Sequence, residues 1–279
     1  MKLLHHNYGK ARVRVMKVTR AGATHSVKEL DISIMLRGDF DASYTKGDNS
    51  LVVPTDTMKN TVNVLAQQRL GEESEEFGAV LGQHFLDAWP QVERVEARLS
   101  ERCWRRMEID GKPHPHSFVE DGEGKPFAEV SSSRDETIVR SGVEDLLILK
   151  TTESGFEGFA RDKFTTLRET KDRVFATKLK ATWRYEGKPA SYSKANAEVR
   201  EAMIRVFAGT YSPSVQTTLF QMGKAALQST PEVSEITLVM PNKHCLLIDL
   251  APFGLENRNE LFLPTDEPHG LIEGTVTRD

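Results

Sequence analysis

The sequence predicts an α+β fold built from an internally duplicated unit, and three observations carry that prediction. Apolar residues recur with a two-residue period near the start of the chain and again after Pro90, while two stretches between them carry apolar residues at helical spacing. After a stretch broken by glycine and proline, from Asp121 to Pro126, the order begins again. Finally, Pro90-x-Val92-x-x-Val95, with Cys103 thirteen residues after Pro90, matches Pro231-x-Val233-x-x-Ile236, with Cys245 fourteen after Pro231. A pattern repeated at one separation is the mark of duplication. The expected division is a first domain over 1–121 and a second, larger one over 122–279.

The elements follow in order. Over 8–18, Val13, Val15 and Val18 alternate with Lys10, Arg12, Arg14 and Lys17, which reads as a strand with one buried face and one basic, wet face. Gly22 marks a turn, and 30–36 alternates through Ile32 and Ile34 to complete a hairpin. The apolar run 51–53 reads as a strand that meets a helix at Pro54-Thr55-Asp56, where short oxygen-bearing side chains cap the first N–H groups. Val62, Val64 and Leu65, then Phe77, Val80, Leu81 and Phe85, predict helices over 59–69 and 74–89. Strand period returns over 92–99, and a further strand over 103–109 turns at Asp110-Gly111 and continues towards Phe118.

Beyond the loop, 127–132 and 136–139 read as strands. The apolar run 146–149 ends in Lys150-Thr151-Thr152 and parallels Pro54-Thr55-Asp56. Helical periodicity spans 196–207 and 213–227, the second with Ser212 and Pro213 as cap and first turn. From Lys150 to Pro231 is 81 residues, against 36 from Pro54 to Pro90, and these two helices are expected to supply much of the excess.

Composition narrows the function. A chain of 279 residues, 38% hydrophobic, buries a sizeable core. Its net charge of -4 argues against a nucleic-acid surface, which needs a concentrated basic face, and Arg102, Arg105 and Arg106 read as a wet strand face. Two cysteines in no CxxC spacing argue against a disulfide framework or a zinc knuckle. No run approaches the roughly 18 apolar residues needed to span a bilayer, 1–10 has no signal-peptide core, and Thr277-Arg278-Asp279 is no peroxisomal address. No membrane partner is expected, and the cytoplasm is the expected location. GxSxG, GxxxxGK[ST] and HExxH are absent, and the pair Gly122, Gly124 lacks a third glycine. His114 and His116 share a strand face, and with His5 and His6 form at most part of a metal site; solvated or structural histidines are the expectation.

Several segments are more specific than composition or period. They are Tyr8-Gly9-Lys10, Val53-Pro-Thr55-Asp56-Thr-Met-Lys-Asn60, His114-Pro-His116-Ser-Phe118, Phe156-Glu-Gly-Phe159-x-x-Asp162-x-x-Thr165-Thr166-Leu-x-Glu169-x-x-Asp172-Arg173, Ser212-Pro-Ser-Val215-Gln216 and Pro241-Asn242-Lys243-His244. In that order, over almost the full length, they resemble the urate oxidase (uricase) family. The resemblance implies two tandem tunnelling-fold (T-fold) domains, each an antiparallel sheet with helices on one face. It also implies a homotetramer whose sheets close into barrels around a tunnel, with each active site between two subunits. The reaction it implies is oxidation of urate by O2 to 5-hydroxyisourate with release of hydrogen peroxide, without metal or organic cofactor. Ending without a peroxisomal tripeptide, the chain resembles the bacterial type.

Urate is a planar, electron-rich anion with urea-like edges, so its site calls for an aromatic face, a bidentate donor and an amide. At positions matching the family, Phe156 would stack on the purine, Arg173 would fork onto a carbonyl and ring nitrogen, Gln216 would bond the opposite edge, and Val215 would offer its backbone N–H. Thr55 and Asp56 are also implied at the substrate, and Asn242 at the O2 or water site. Lys10 is implied as base, Thr55 as relay and His244 as the group that orients them. Each residue also has a plainer reading: a core Phe, an Arg173–Glu169 pair one helical turn apart, a surface Gln, a solvated strand Lys. Thr57 is the rejected candidate for the relay. Cys245 follows His244 where many relatives of the family carry an aromatic residue. Two other readings stay open, a zinc-dependent pterin-type T-fold enzyme recruiting His114 and His116, and a non-catalytic purine-binding protein.

Overall fold

A computed structural model describes residues 1–278. Its strands are β1 (Tyr8–Ala21), β2 (Thr24–Gly38), β3 (Val92–Arg102), β4 (Trp104–Ile109), β5 (Lys112–Glu120), β6 (Lys125–Ser133), β7 (Thr137–Lys150), β8 (Phe175–Tyr185), β9 (Val233–Lys243), β10 (Cys245–Leu247), β11 (Phe262–Pro264) and β12 (Gly270–Thr277). Its helices are α1 (Asp41–Thr45), α2 (Thr55–Arg69), α3 (Ser74–Ala88), α4 (Tyr192–Gly209) and α5 (Val215–Ser229).

By contact the chain forms two compact units, one of 1–142 with 187–194, the other of 143–186 with 195 onward. In the first, strands run in the order β1-β2-β3-β6, antiparallel at each pairing. The alternation read from 30–36 buries Leu30, Ile32, Ile34 and Leu36 completely, and Val95, Ala97 and Leu99 of β3 continue that face. Against it lie Met58, Val62 and Ala66 of α2 and Phe77, Leu81 and Phe85 of α3, each set at helical spacing. In the second unit the order is β7-β8-β9-β12, with Leu179, Ala181 and Trp183 of β8 and Ile236, Leu238 and Met240 of β9 buried. Helix α5 packs on β9 and β12. Setting aside α1 and the ribbons β4–β5 and β10–β11, each unit uses the sequence β-β-α-α-β-β.

Both hairpins form, and the turn at Asp110-Gly111 has positive φ at both residues, 52° and 70°, as a two-residue hairpin turn requires. Other expectations are corrected. The run 51–53 is not a strand but a loop tied to β1, and α2 is preceded by Pro54 with no side-chain cap. Pro54 fixes its own φ, and its carbonyl accepts Met58 N–H as the first intrahelical bond, which leaves the first N–H groups of α2 without a side-chain acceptor. Ser212 does not cap α5; Ser214 does, accepting Thr217 N–H at 3.1 Å. The stretches 137–139 and 146–149 belong to one strand, β7, in which the intervening Ser141 is buried while Arg140, Glu144 and Asp145 are half-exposed. Helices α4 and α5 are counterparts of α2 and α3 and so are not the excess; the stretch from Lys150 to Pro231 also holds the irregular segment 151–174 and β8, whose counterpart β2 lies before Pro54.

Of the three arginines read as a wet strand face, Arg102 and Arg105 are exposed as expected, and only Arg106 departs from it. The Arg106 guanidinium turns inward, donates to the carbonyls of His25, His114 and Pro115, and lies 4.9 Å from the Phe118 ring. The His114 and His116 rings stand 4.6 Å apart beside that strut, and His6 bonds Asp41 at 2.7 Å. Among the described residues, no group of three or more His, Cys, Asp or Glu is placed to hold a metal ion. No described helix is long and apolar enough to cross a membrane.

Candidate active site

Strict alternation would put Lys10 on one face of β1 with Arg12 and Arg14. A β-bulge overturns that. Lys10 pairs with Ile34 and Val13 with Ile32, so one extra residue is accommodated between them, where Arg12 adopts φ +60°. Cross-strand partners share a face, and Ile32, Ile34 and Leu36 are buried. Tyr8, Lys10 and Val13 therefore all lie on the packed side, which also carries α2. The arginines are left with carboxylates, Arg12 with Asp31 at 3.0 Å and Arg14 with Glu29 at 2.6 Å.

Facing that side, Thr55 and Asp56 open the first turn of α2, both exposed. The Asp56 carboxylate is engaged with Lys59 and with Asn60 Nδ2 at 2.9 Å. Its pKa is held below the usual carboxylate range chiefly by Lys59, with Lys10 as a smaller contributor, which sets Lys10 within electrostatic reach of this turn. Thr57 is half-buried one position further on.

In the second unit, the segment 151–174 is held by main-chain bonds at two points. Gly155 N–H donates to Ser212 O at 2.8 Å, and Ser212 N–H to Glu153 O at 2.9 Å. Phe156 and Thr170 exchange a pair of bonds at 2.7 and 3.1 Å, and Arg173 N–H donates to Ser154 O at 2.8 Å. Gly155 is obligatory there, since a Cβ would stand 2.2 Å from the Tyr211 hydroxyl and 2.9 Å from Thr170 O. These ties bring the Arg173 guanidinium to 5.4 Å from the Phe156 ring. Phe156 is in turn stacked on Phe159 at 5.0 Å and 10°, and Arg161 covers Phe159 at 4.7 Å.

Glu169 does not pair with Arg173. It pairs with Arg161 at 3.8 Å and accepts Gly158 N–H at 3.2 Å. Arg173 Nε is buried and, among the described residues, has no hydrogen-bond partner. Burial presses the Arg173 pKa downward, with Tyr211 a weaker opposing influence. A guanidinium kept partly out of water without an anion is costly unless one arrives.

Ser212 and the Ser214 cap present Val215 and Gln216 as the first two residues of α5, Val215 buried and Gln216 exposed. Helix N-termini carry unpaired N–H groups and partial positive charge. Asn242 sits near the end of β9, between Thr177 of β8 and Gly270 of β12. The His244 carbonyl accepts from Thr265 N–H at 2.8 Å, which pins the residue between β9 and β10. Among the described residues, the side chains of Lys10, Thr55, Gln216, Asn242 and His244 make no hydrogen bond to the chain. The sequence reading missed the residues that hold this scaffold, namely Tyr8, Ser154, Tyr211 and Thr265. Of these, only Tyr8 stood inside a motif it used.

The family described as Uricase matches residues 6–131 and 139–273. The chain is 47% identical over 280 residues to a uricase from Dictyostelium discoideum, covering 99% of this chain and 97% of that one. To a uricase from Arthrobacter globiformis it is 42% identical over 272 residues, covering 98% and 88%. The crystal structure of uricase from Arthrobacter globiformis is similar with a TM-score of 0.95 at 41% identity, covering 100% of this chain and 96% of that one.

Proposed function

This chain belongs to the uricase family, with its tandem T-folds, and we propose that it oxidises urate with O2 and water to 5-hydroxyisourate and hydrogen peroxide. The observation that carries the reading is Arg173, half-buried, over an aromatic ring and without a carboxylate. A flat anion with paired acceptors answers both features, stacking on Phe156 while two of its atoms receive the guanidinium fork. Gln216 bonds the opposite edge and Val215 N–H a third position. Asn242 holds the O2 or water site.

Urate gives up two electrons to O2, which leaves as hydrogen peroxide after taking two protons. Water adds at C5, and its remaining hydroxyl stays on the product. Lys10 and Thr55 carry the protons, and His244 orients the amine or a water. Lys10 and Thr55 stand on the first unit and the clamp on the second, and the family resemblance implies that one subunit of a homotetramer offers the first set to the second set of its neighbour, in the cytoplasm. Asp56 acts through its helix turn, since its carboxylate is taken by Lys59 and Asn60.

The test follows loss of urate absorbance together with peroxide release in metal-chelated buffer. Turnover is expected there, with near abolition in Lys10→Met and Thr55→Ala. Arg173→Ala is expected to raise KM roughly 10-fold or more, the loss of a charge-assisted bond of about 1.5–3 kcal/mol. Unchanged turnover in Lys10→Met would falsify the relay. A strict requirement for added zinc would favour the pterin-type reading, and tight urate binding without peroxide the non-catalytic one.

A further inference from the structure

We propose that the Tyr8 hydroxyl is a positioning group for the proton relay, fastening the loop that delivers Thr55 to the strand that delivers Lys10. The inference rests on the urate-oxidising reading of the site. Val53 N–H donates to the Tyr8 hydroxyl at 2.8 Å, and the hydroxyl donates to Val53 O at 3.2 Å, so one phenol takes both polar groups of a fully buried residue. Burial, the largest influence, raises the Tyr8 pKa above its ordinary value, so the phenol keeps the proton it donates.

The geometry links two short arms. Tyr8 and Lys10 pair with Leu36 and Ile34 and so face the same side of β1, two residues apart. On the other arm Val53 is two residues before Thr55, and the intervening Pro54, with φ locked at -57°, has only ψ with which to absorb a shift. No side chain caps α2, so its first turn lacks the usual local anchor. The Tyr8 ring itself is set edge-on against Phe40 at 4.8 Å and 87°. Beneath it, Gly9 lets β1 approach β2 so closely that a Cβ would stand 1.8 Å from Ile34 O. The phenol is thus held firmly on the strand side and passes that position to the helix side.

Tyr8→Phe removes only the hydroxyl and keeps the ring on Phe40. The expected result is a fall in kcat of about tenfold or more, with KM for urate within about twofold, because proton transfer tolerates misplacement poorly while the clamp residues are untouched. Phe85→Leu is the comparison, since Phe85 is fully buried in the core of the same unit, on α3, and takes no part in holding the Tyr8–Val53 pair. It is expected to lower Tm at least as much as Tyr8→Phe while keeping kcat within about twofold. Unchanged kcat in folded Tyr8→Phe overturns the proposal, and so does a rise in KM alone. An equal fall of kcat in Phe85→Leu overturns it as well, by making the effect general. Full turnover in Lys10→Met would instead remove the relay on which the proposal rests, and the two failures are told apart by that variant.

Discussion

Lys10 reaches the packed side of its strand because one residue too many lies between it and Val13. Side-chain direction in a strand depends on parity, so a single extra residue reverses every assignment on one side of it. Arg173 shows the complementary effect, in which a loop rather than a strand isolates a charge. Replacing it with Lys keeps the charge but loses the fork, so Arg173→Lys is expected to recover less than half of the KM lost in Arg173→Ala, on a logarithmic scale. A steady-state titration with urate measures both. Residue-scale burial also predicts an alkaline limit. Tyr192 is pushed up to about 12, first by burial and then by Glu75, Glu73 and Glu76. A raised value means that the unfolded chain loses its proton first, near 10, so this contribution is present below that pH and lost as pH rises towards 12. Equilibrium unfolding across that window is expected to show a shallower loss in Tyr192→Phe, which has no proton to give.

At the scale of elements, each of the four long helices ends on a cation from elsewhere in the chain. Lys17 donates to Ala66, Gln67 and Leu70 carbonyls at the end of α2, and Lys150 to Thr210 O at the end of α4. Arg134 reaches Leu86, Pro90 and Val92 carbonyls after α3, and Arg278 reaches Leu227, Thr230 and Val233 carbonyls after α5. Last-turn carbonyls have no partner within their own helix, and their negative end of the dipole favours a positive group. Lys17→Met removes three bonds and leaves carbonyls half-buried, at a cost of about 1–3 kcal/mol. Denaturant unfolding of the variant is expected to show that loss, and an unchanged midpoint would mean that water replaces the ammonium without penalty. The same cost is expected of Arg278→Met in the second unit.

Across the whole molecule the caps reveal the duplication better than the sequence pattern did. Leu86, Val92 and Arg134 in the first unit play the parts of Leu227, Val233 and Arg278 in the second. Arg12 and Asp145 both have φ +60°, both stand five residues before the capping lysine, and both pair across to the next strand, with Asp31 and Lys178. On that alignment Lys10 corresponds to Val143, which is buried. Only the first unit carries the amine, and only the second carries the insertion 151–174 with Phe156 and Arg173. On the proposed reading of the site, one per chain is expected. Calorimetric titration with a non-oxidisable urate analogue is expected to saturate at one per chain, and two would mean that the second copy of the fold also binds.

The amino-acid sequence by itself determined the strand and helix periods, the hairpin turns and the two-fold order, because those depend on short-range alternation and on residues such as Asp110-Gly111. It also singled out Lys10, Thr55, Phe156, Arg173 and Gln216 as candidates for a site, through motifs that resemble those of a known family. Only the tertiary structure decided where they point. The bulge at Arg12, the loop at 51–53 and the pairing of Glu169 with Arg161 rather than Arg173 leave no periodic trace. They depend on contacts that no period encodes, some within one loop, as for Glu169, and some from a distant part of the chain, as for the Tyr8 hydroxyl on Val53, and these become visible only when the backbone has closed.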